Sequence, residues 1–171
     1  MLQLSAMILN RPVLSLRTSS QVATTVSAII NPNNLKIEGF YCHDHAKRKD
    51  LVLLSQDIRE ILPQGIVIND QDALTEPDEL VRLDKVLQAN FVLLGKHVVT
   101  VSGDKVGKVT DFSVETNSMF IQKLYVTQSL FKAFNDANLG VDRTQIVEIT
   151  SKKIVIHDLL QKVPAGARAL A

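Results

Sequence analysis

The sequence predicts a mainly β fold of two tandem small β-barrels joined by a short α-helix. Three observations indicate it: short alternating apolar segments bounded by turn residues, an internal repeat of that pattern, and one stretch between the copies with helical periodicity. We assign residues 1–72 to the first barrel, 73–90 to the connecting helix, 91–158 to the second barrel and 159–171 to a C-terminal tail.

The internal repeat consists of two blocks that align without gaps. Residues 22–42 align with residues 106–126, and residues 57–70 align with residues 145–158 in the same order. The identities in the first block are Val22 with Val106, Asn33 with Asn117, Ile37 with Ile121, and Tyr41 with Tyr125. The second copy carries extra residues between the blocks, and such length differences are best tolerated in surface loops.

In the first copy, short apolar runs alternate with turn signals. The run Asn31-Pro32-Asn33-Asn34 is a strong turn signal, because Asn tolerates left-handed backbone and Pro fixes φ. The predicted strands are 12–16, 22–30, 35–42, 51–54, 58–62 and 66–68. The polar segment 43–50 is predicted to be a solvated loop.

Between the copies, the apolar period changes from that of a strand to that of a helix. Thr75 suits a helix cap and Pro77 suits the first turn. The apolar stripe that follows at helical spacing is made of Leu80, Leu83, Val86 and Leu87. We therefore predict a helix over about 78–89 that packs against the barrels.

The second copy repeats the plan of the first. Its predicted strands are 91–94, 97–101, 106–115, 119–126, 143–150 and 154–158. The extra residues fall in 129–138, where Leu130, Phe131 and Phe134 predict a short amphipathic helix that the first copy lacks.

Composition limits the classes of function. The net charge is +1, so the chain lacks the overall basic field that dominates non-specific nucleic-acid binding. One cysteine cannot form an internal disulfide, and no apolar run is long enough to span a bilayer. The N-terminus lacks the features of a signal peptide. We expect a cytoplasmic protein without a membrane span.

The repeated pattern resembles the PRC-barrel family, the fold of the cytoplasmic domain of the photosynthetic reaction-centre H subunit and of the C-terminal domain of the ribosome-maturation factor RimM. The resemblance is carried by INPNNLKIEGFYC at 30–42, GKVTD at 107–111 and QKLYV at 122–126, and it covers about 8–158 in two copies. It implies a protein-binding module without a common catalytic site.

The run Cys42-His43-Asp44-His45 contains residue types that bind transition metals. The competing interpretation is a solvated loop that follows a strand. We favour the loop, because Cys42 aligns with Val126 and is therefore expected to be a buried strand residue.

Charged residues flank one apolar strand in each copy. They are Asp57, Arg59 and Glu60 in the first copy and Arg143 and Glu148 in the second. Paired carboxylates would permit acid–base chemistry, but a salt-bridged barrel rim is the commoner arrangement and the one we predict.

Two groups of residues are candidate partner-binding surfaces. One is the apolar stripe Leu130, Phe131 and Phe134, and the other is the basic loop Lys47, Arg48 and Lys49. The basic loop tips would contact RNA phosphates if they lay on one face; these are Lys47, Arg48, Lys49, Lys105, Lys108, Lys152 and Lys153. Lysines in turns more often serve solubility and protect sheet edges.

From the sequence we therefore expect a non-enzymatic adaptor or scaffold that binds another protein, with no catalytic residue, cofactor or metal. The alternative is a ribosome-associated or RNA-processing factor that uses the basic loops. Affinity that falls steeply with salt would favour the alternative.

Overall fold

The computed structural model describes residues 1–128 and 138–158. In these ranges the chain is mainly β, with fourteen strands in one open sheet of mixed parallel and antiparallel pairs and one short α-helix. The strands are β1 (Leu2–Leu4), β2 (Pro12–Ser15), β3 (Ser20–Asn31), β4 (Lys36–Asp44), β5 (Lys49–Leu54), β6 (Ile58–Leu62), β7 (Gly65–Ile68), β8 (Leu74–Thr75), β9 (His97–Thr100), β10 (Lys105–Glu115), β11 (Phe120–Gln128), β12 (Leu139–Asp142), β13 (Ile146–Ile149) and β14 (Lys153–Ile156). The helix is α1 (Asp84–Ala89).

The two sequence copies follow the same path through the sheet. The main strand order is β13-β14-β9-β10-β11-β4-β3-β2-β7-β6, and β1, β5, β8 and β12 pair at its sides. In each copy the first short strand pairs in parallel with the last, β2 with β7 and β9 with β14. The remaining pairs are antiparallel, so one mixed topology occurs twice along the chain.

The bends in the long strands also recur at equivalent positions. Antiparallel pairing is interrupted at two places between β3 and β4 and at two places between β10 and β11. The interruptions lie between Thr25 and Ser27 and between Ile29 and Ile30 in the first copy, and between Val109 and Asp111 and between Ser113 and Val114 in the second. Bulges bend a strand and strengthen its twist, so both copies are curved in the same way.

The copies are joined edge to edge by β4 and β11, which meet in an antiparallel pair; we call this junction the seam. The backbone N–H of Ile37 donates to the carbonyl of Met119 at 2.8 Å, and that of Ile121 donates to the carbonyl of Leu35 at 3.0 Å. The two donors are equivalent residues of the two copies, and so are the two acceptors, so the bonds are reciprocal. Leu35 and Met119, which supply the carbonyls, both have left-handed backbone, with φ of 55° and 59°.

Arg143 ties the second copy to the first at the seam. Its guanidinium donates to the carbonyls of Asn34 at 2.6 Å and Ile121 at 3.3 Å, and it lies 4.8 Å from the centre of the Phe120 ring. One side chain thus binds backbone on both sides of the junction.

Buried apolar side chains from both copies form one continuous core. Its largest fully buried members include Ile37, Phe40, Leu51, Leu53, Ile66 and Ile68 from the first copy and Phe112, Ile121, Leu124 and Ile154 from the second. The core therefore extends across the seam, and the two copies pack as one body.

The predicted helix over 78–89 is shorter in the structure. Only α1 is α-helical, and two 3-10 turns, Pro77–Glu79 and Val81–Leu83, precede it. Leu80 interrupts the helix because its backbone, at φ −93° and ψ 65°, lies outside the helical region. None of the helices in the described ranges has the length and apolar character that a membrane span requires.

Two further expectations about elements were wrong. Residues 91–94 form no strand: the chain turns at Gly95, with φ of 83°, and Leu93 is buried in the core without strand pairing. Residues 43–50 are not wholly a solvated loop, because β4 extends to Asp44 and β5 begins at Lys49. β1 was not predicted; it pairs with β10 across the copies.

Thr25 provides a test of the buried polar contacts in the first copy. Its fully buried hydroxyl donates to the carbonyl of Ile8 at 2.8 Å and accepts from the N–H of Arg11 at 2.9 Å. The second copy has Val109 at this position. We expect Thr25→Val to lower the free energy of unfolding by about 1–3 kcal/mol in urea denaturation, because both backbone groups lose their partner.

Thr110→Val is the matched control for this change, since Thr110 is exposed on β10. It should change the free energy of unfolding by no more than about 0.5 kcal/mol. Equal effects of the two substitutions would contradict the role given to the buried hydroxyl.

Arg143 provides a test of the seam. Arg143→Ala should lower the free energy of unfolding by about 2 kcal/mol, because two carbonyls lose a charged donor and the Phe120 ring loses its stacked cation. Arg143→Lys should recover only part of this loss, since an ammonium lacks the planar fork. Arg59→Ala, on an exposed β6 position, is the control. A loss no greater than that of the control would show that Arg143 does not stabilise the seam.

Candidate functional site

The turn between β4 and β5 presents part of the predicted basic loop on a rigid support. The side chain of Asp44 is buried and accepts hydrogen bonds from the N–H groups of Ala46 at 2.8 Å and Lys47 at 2.7 Å. The side-chain amide of Gln71 donates to it at 3.0 Å. Burial by itself raises the pKa of Asp44. The hydrogen bonds from these three donors together lower the pKa by more, so that it lies below its ordinary value.

Within this loop only two of the three basic side chains are free of an ion pair among the described residues. Lys49 forms an ion pair with Glu76, which raises the pKa of Lys49. Lys47 and Arg48 are exposed. The basic loop therefore presents two cationic side chains to solvent, and its third, Lys49, is paired.

The Cys42–His45 run does not converge on one point. Cys42 is buried, as predicted, and burial raises the pKa of its thiol to about 12. His43 lies on the opposite face of β4, with Nδ1 3.0 Å from Asp50 Oδ1, and His45 Nε2 lies 3.0 Å from Thr24 Oγ1. In the described ranges, no three His, Cys, Asp or Glu side chains are grouped so as to hold a metal ion.

The charged residues that flank β6 and β13 do not form the predicted salt-bridged rim. Within the described residues no ion pair joins Asp57, Arg59, Glu60, Arg143 and Glu148 to one another. Arg143 instead binds backbone carbonyls at the seam. Arg59 and Glu60 are adjacent on β6 and exposed, so water solvates them.

The four remaining basic turn residues lie together on one groove of the second copy, which we call the lysine groove. Its volume is about 730 Å³, and Lys105, Lys108, Lys152 and Lys153 line it together with His97. All five side chains are exposed. The sequence named the four lysines separately as turn residues, and the fold brings them to one place.

Strand pairing explains how residues distant in sequence reach this groove. His97 on β9 pairs with Lys153 on β14 and with Lys108 on β10, and Lys108 in turn pairs with Thr127 on β11. Paired residues on neighbouring strands share a face and are separated by about 5 Å. Lys153, His97 and Lys108 therefore form one row across three strands.

The floor of the groove is apolar. His97 alternates with Val98, which is buried, while Val99 lies on the same face as His97 and is half-buried. Val99 pairs with Lys105 on one side and with Val155 on the other. Along the strands, the row of Lys153, His97 and Lys108 is thus followed by a row made of Val155, Val99 and Lys105.

A half-buried lysine, Lys96, contacts the hairpin turn that carries Lys152 and Lys153. The ammonium of Lys96 donates to the carbonyl of Ser151 at 2.7 Å, and burial lowers the pKa of Lys96. The hydroxyl of Thr150 accepts from the N–H groups of Lys152 at 3.3 Å and Lys153 at 3.0 Å. The turn is held by contacts on both sides.

The first copy carries the same scaffold without the lysines. A basic residue precedes the opening strand in each copy, Arg11 before β2 and Lys96 before β9. Arg11 donates to the carbonyl of Pro63, the equivalent of Ser151. The first copy has other residues at the five groove positions: Pro12 for His97, Gln21 for Lys105, Thr24 for Lys108, Gln64 for Lys152 and Gly65 for Lys153. The structural cation is kept, and the groove cations occur in one copy only.

The lysine groove and the basic loop lie at opposite ends of the molecule. β4 and β11 meet in an antiparallel pair at their first residues and run in opposite directions from the seam. β4 leads to Asp44 and the basic loop, and β11 leads to Thr127 beside the groove. Each strand carries the chain roughly 25 Å from the seam. The predicted apolar surface Leu130, Phe131 and Phe134 lies outside the described residues.

Neither a comparison with protein-family models nor a comparison with curated proteins found a match to this chain. The functional argument therefore rests on the geometry of the chain itself.

The low pKa of Asp44 gives a pH-dependent test of the basic loop. Because the folded pKa lies below the unfolded one, ionised Asp44 stabilises the fold above the unfolded pKa, and this stabilisation is lost as pH falls through the folded pKa. Asp44→Asn should therefore lower the free energy of unfolding by about 1–3 kcal/mol at neutral pH. The difference from the unaltered protein should narrow below about pH 4 in urea titrations.

Asp78→Asn is the control, since Asp78 is exposed. It should have little effect at either pH. A deficit of Asp44→Asn that stays constant down to low pH would rule out the charge as its cause.

Proposed function

We propose that this protein is a non-enzymatic adaptor or scaffold, built from two tandem PRC-like β-barrels, that binds another protein. The mixed topology that occurs twice, each time closed by a parallel pair of the first and last short strands, supports the barrel interpretation. The continuous core supports a scaffold that holds its two ends in a fixed relation. We also propose a cytoplasmic location, which the unpaired, buried Cys42 supports.

One observation carries the proposal: the two copies keep the same interior and differ in their exposed chemistry. Val22 and Val106 are both buried, and so are Phe40 and its equivalent Leu124. At the lysine groove, five exposed positions differ, and all five are basic or histidine in the second copy only. An apolar floor with a charged, solvent-exposed margin has the composition of a protein-binding surface.

The same groove also favours the alternative function, a ribosome-associated or RNA-processing factor. That alternative requires the basic loop tips to share a face. Four of them line the groove, namely Lys105, Lys108, Lys152 and Lys153, whereas the basic loop 47–49 does not. Against it, the residues described as lining the groove include no Phe, Tyr or Trp on which bases would stack. The adaptor is the function that the composition of the groove supports better.

Affinity capture from a lysate of the source organism, with and without nuclease, tests the choice between these functions. For the adaptor, we expect a discrete protein partner that remains bound after nuclease treatment, because its contacts are with protein and not with nucleic acid. Recovery limited to ribosomal proteins and RNA, and lost with nuclease or salt, would replace the adaptor by the alternative.

A further inference from the structure

We infer that the lysine groove binds an acidic amphipathic segment of a partner protein. On the face of this segment that contacts the groove, carboxylates and apolar side chains alternate. This inference rests on the proposed adaptor function and specifies the chemistry of its partner.

The first argument is charge. Four lysines surround the groove, and none of the described residues that line it is acidic. The whole chain carries a net charge of only +1, so this concentration of cations is local. A local cationic surface attracts a carboxylate-rich segment and repels a basic one.

The second argument is the spacing of apolar and charged positions. Val99 and Val155 lie side by side on the outer face, one register step from the row of Lys153, His97 and Lys108. Neighbouring strands are about 5 Å apart, so the two lysines of this row lie about 10 Å apart across the central strand. A segment that runs along β14 therefore passes Lys153 and then Val155 on the same face.

The third argument is the contrast with the first copy. The same backbone there presents Pro12, Thr24 and Gly65 in the equivalent row, none of which is charged. The fold therefore does not require basic residues at these positions. The basic residue that the fold does retain in both copies, Arg11 or Lys96, binds a turn carbonyl instead.

The test uses a short fluorescein-labelled peptide with the repeat Glu-Ser-Leu-Ser, with binding followed by fluorescence anisotropy. In an extended peptide this repeat alternates glutamate and leucine on one face. One competitor is a peptide of the same composition with glutamates and leucines separated into two blocks, and the other is an oligouridylate. The groove variant is Lys105→Glu with Lys108→Glu. The matched control is Arg59→Glu with Arg82→Glu, which makes the same change of net charge at exposed positions that do not line the groove.

We expect the groove variant to weaken binding of the alternating peptide by about tenfold or more, because each substitution removes an attraction and adds a repulsion. The control variant should bind within about twofold of the unaltered protein, because salt screens charges that lie outside the groove. Circular dichroism and urea midpoints verify that both variants are folded, which their exposed positions favour.

Three results would overturn the inference. Equal weakening in both variants would indicate a response to net charge alone. Unchanged binding in the groove variant would place the peptide elsewhere. An oligouridylate that competes better than the peptide, and whose own binding is lost in the groove variant, would make the groove a nucleic-acid site.

Failure of this inference is distinguishable from failure of the proposed function. If the groove variant still captures the nuclease-resistant protein partner, the adaptor function stands and the groove inference is wrong. If neither the unaltered protein nor any variant captures a nuclease-resistant partner, the adaptor function is wrong. The groove inference, which rests on it, is then wrong as well.

Discussion

The arrangement of this molecule depends on two reciprocal hydrogen bonds at the seam. Each requires a carbonyl from a residue with left-handed backbone, Leu35 or Met119, a conformation that costs roughly 1–2 kcal/mol for a residue with a side chain. Burial of both side chains offsets this cost, because each contributes to the core that continues through the junction. The direction of β4 and β11, and with it the position of both basic surfaces, follows from this contact.

The repeat and most of the strands could be predicted from the sequence, because both appear as local patterns. Alternation of apolar residues gave β3, β4, β10 and β11 to within a few residues. The parallel pairing of β9 with β14 had no such signal, since it joins segments about fifty residues apart in sequence that carry no mark of their partner. His97 was therefore not recognised as the centre of a basic row.

The elements that were predicted wrongly are those whose apolar residues serve the core without regular hydrogen bonding. Leu93 is as apolar as a strand residue, yet Gly95 turns the chain before a ladder forms. The stripe through Leu80 and Leu83 faces the protein, but single helical turns are marginal and Leu80 adopts another conformation. Among the candidate sites, the sequence named the basic loop tips and left open which of them share a face, because that depends on strand register.

The reciprocal seam has a consequence for how the surface can change. At the seam, Ile37 donates to Met119 and its equivalent Ile121 donates to Leu35, the equivalent of Met119. This reciprocal pattern is the local geometry of a two-fold symmetric contact. In a dimer of identical chains, each surface substitution appears at both ends, and a gain at one end is repeated at the other. When both halves belong to one polypeptide, each position mutates once. Lys108 can then arise at one end while Thr24 persists at the other, and the molecule acquires a polarity that a symmetric dimer cannot have.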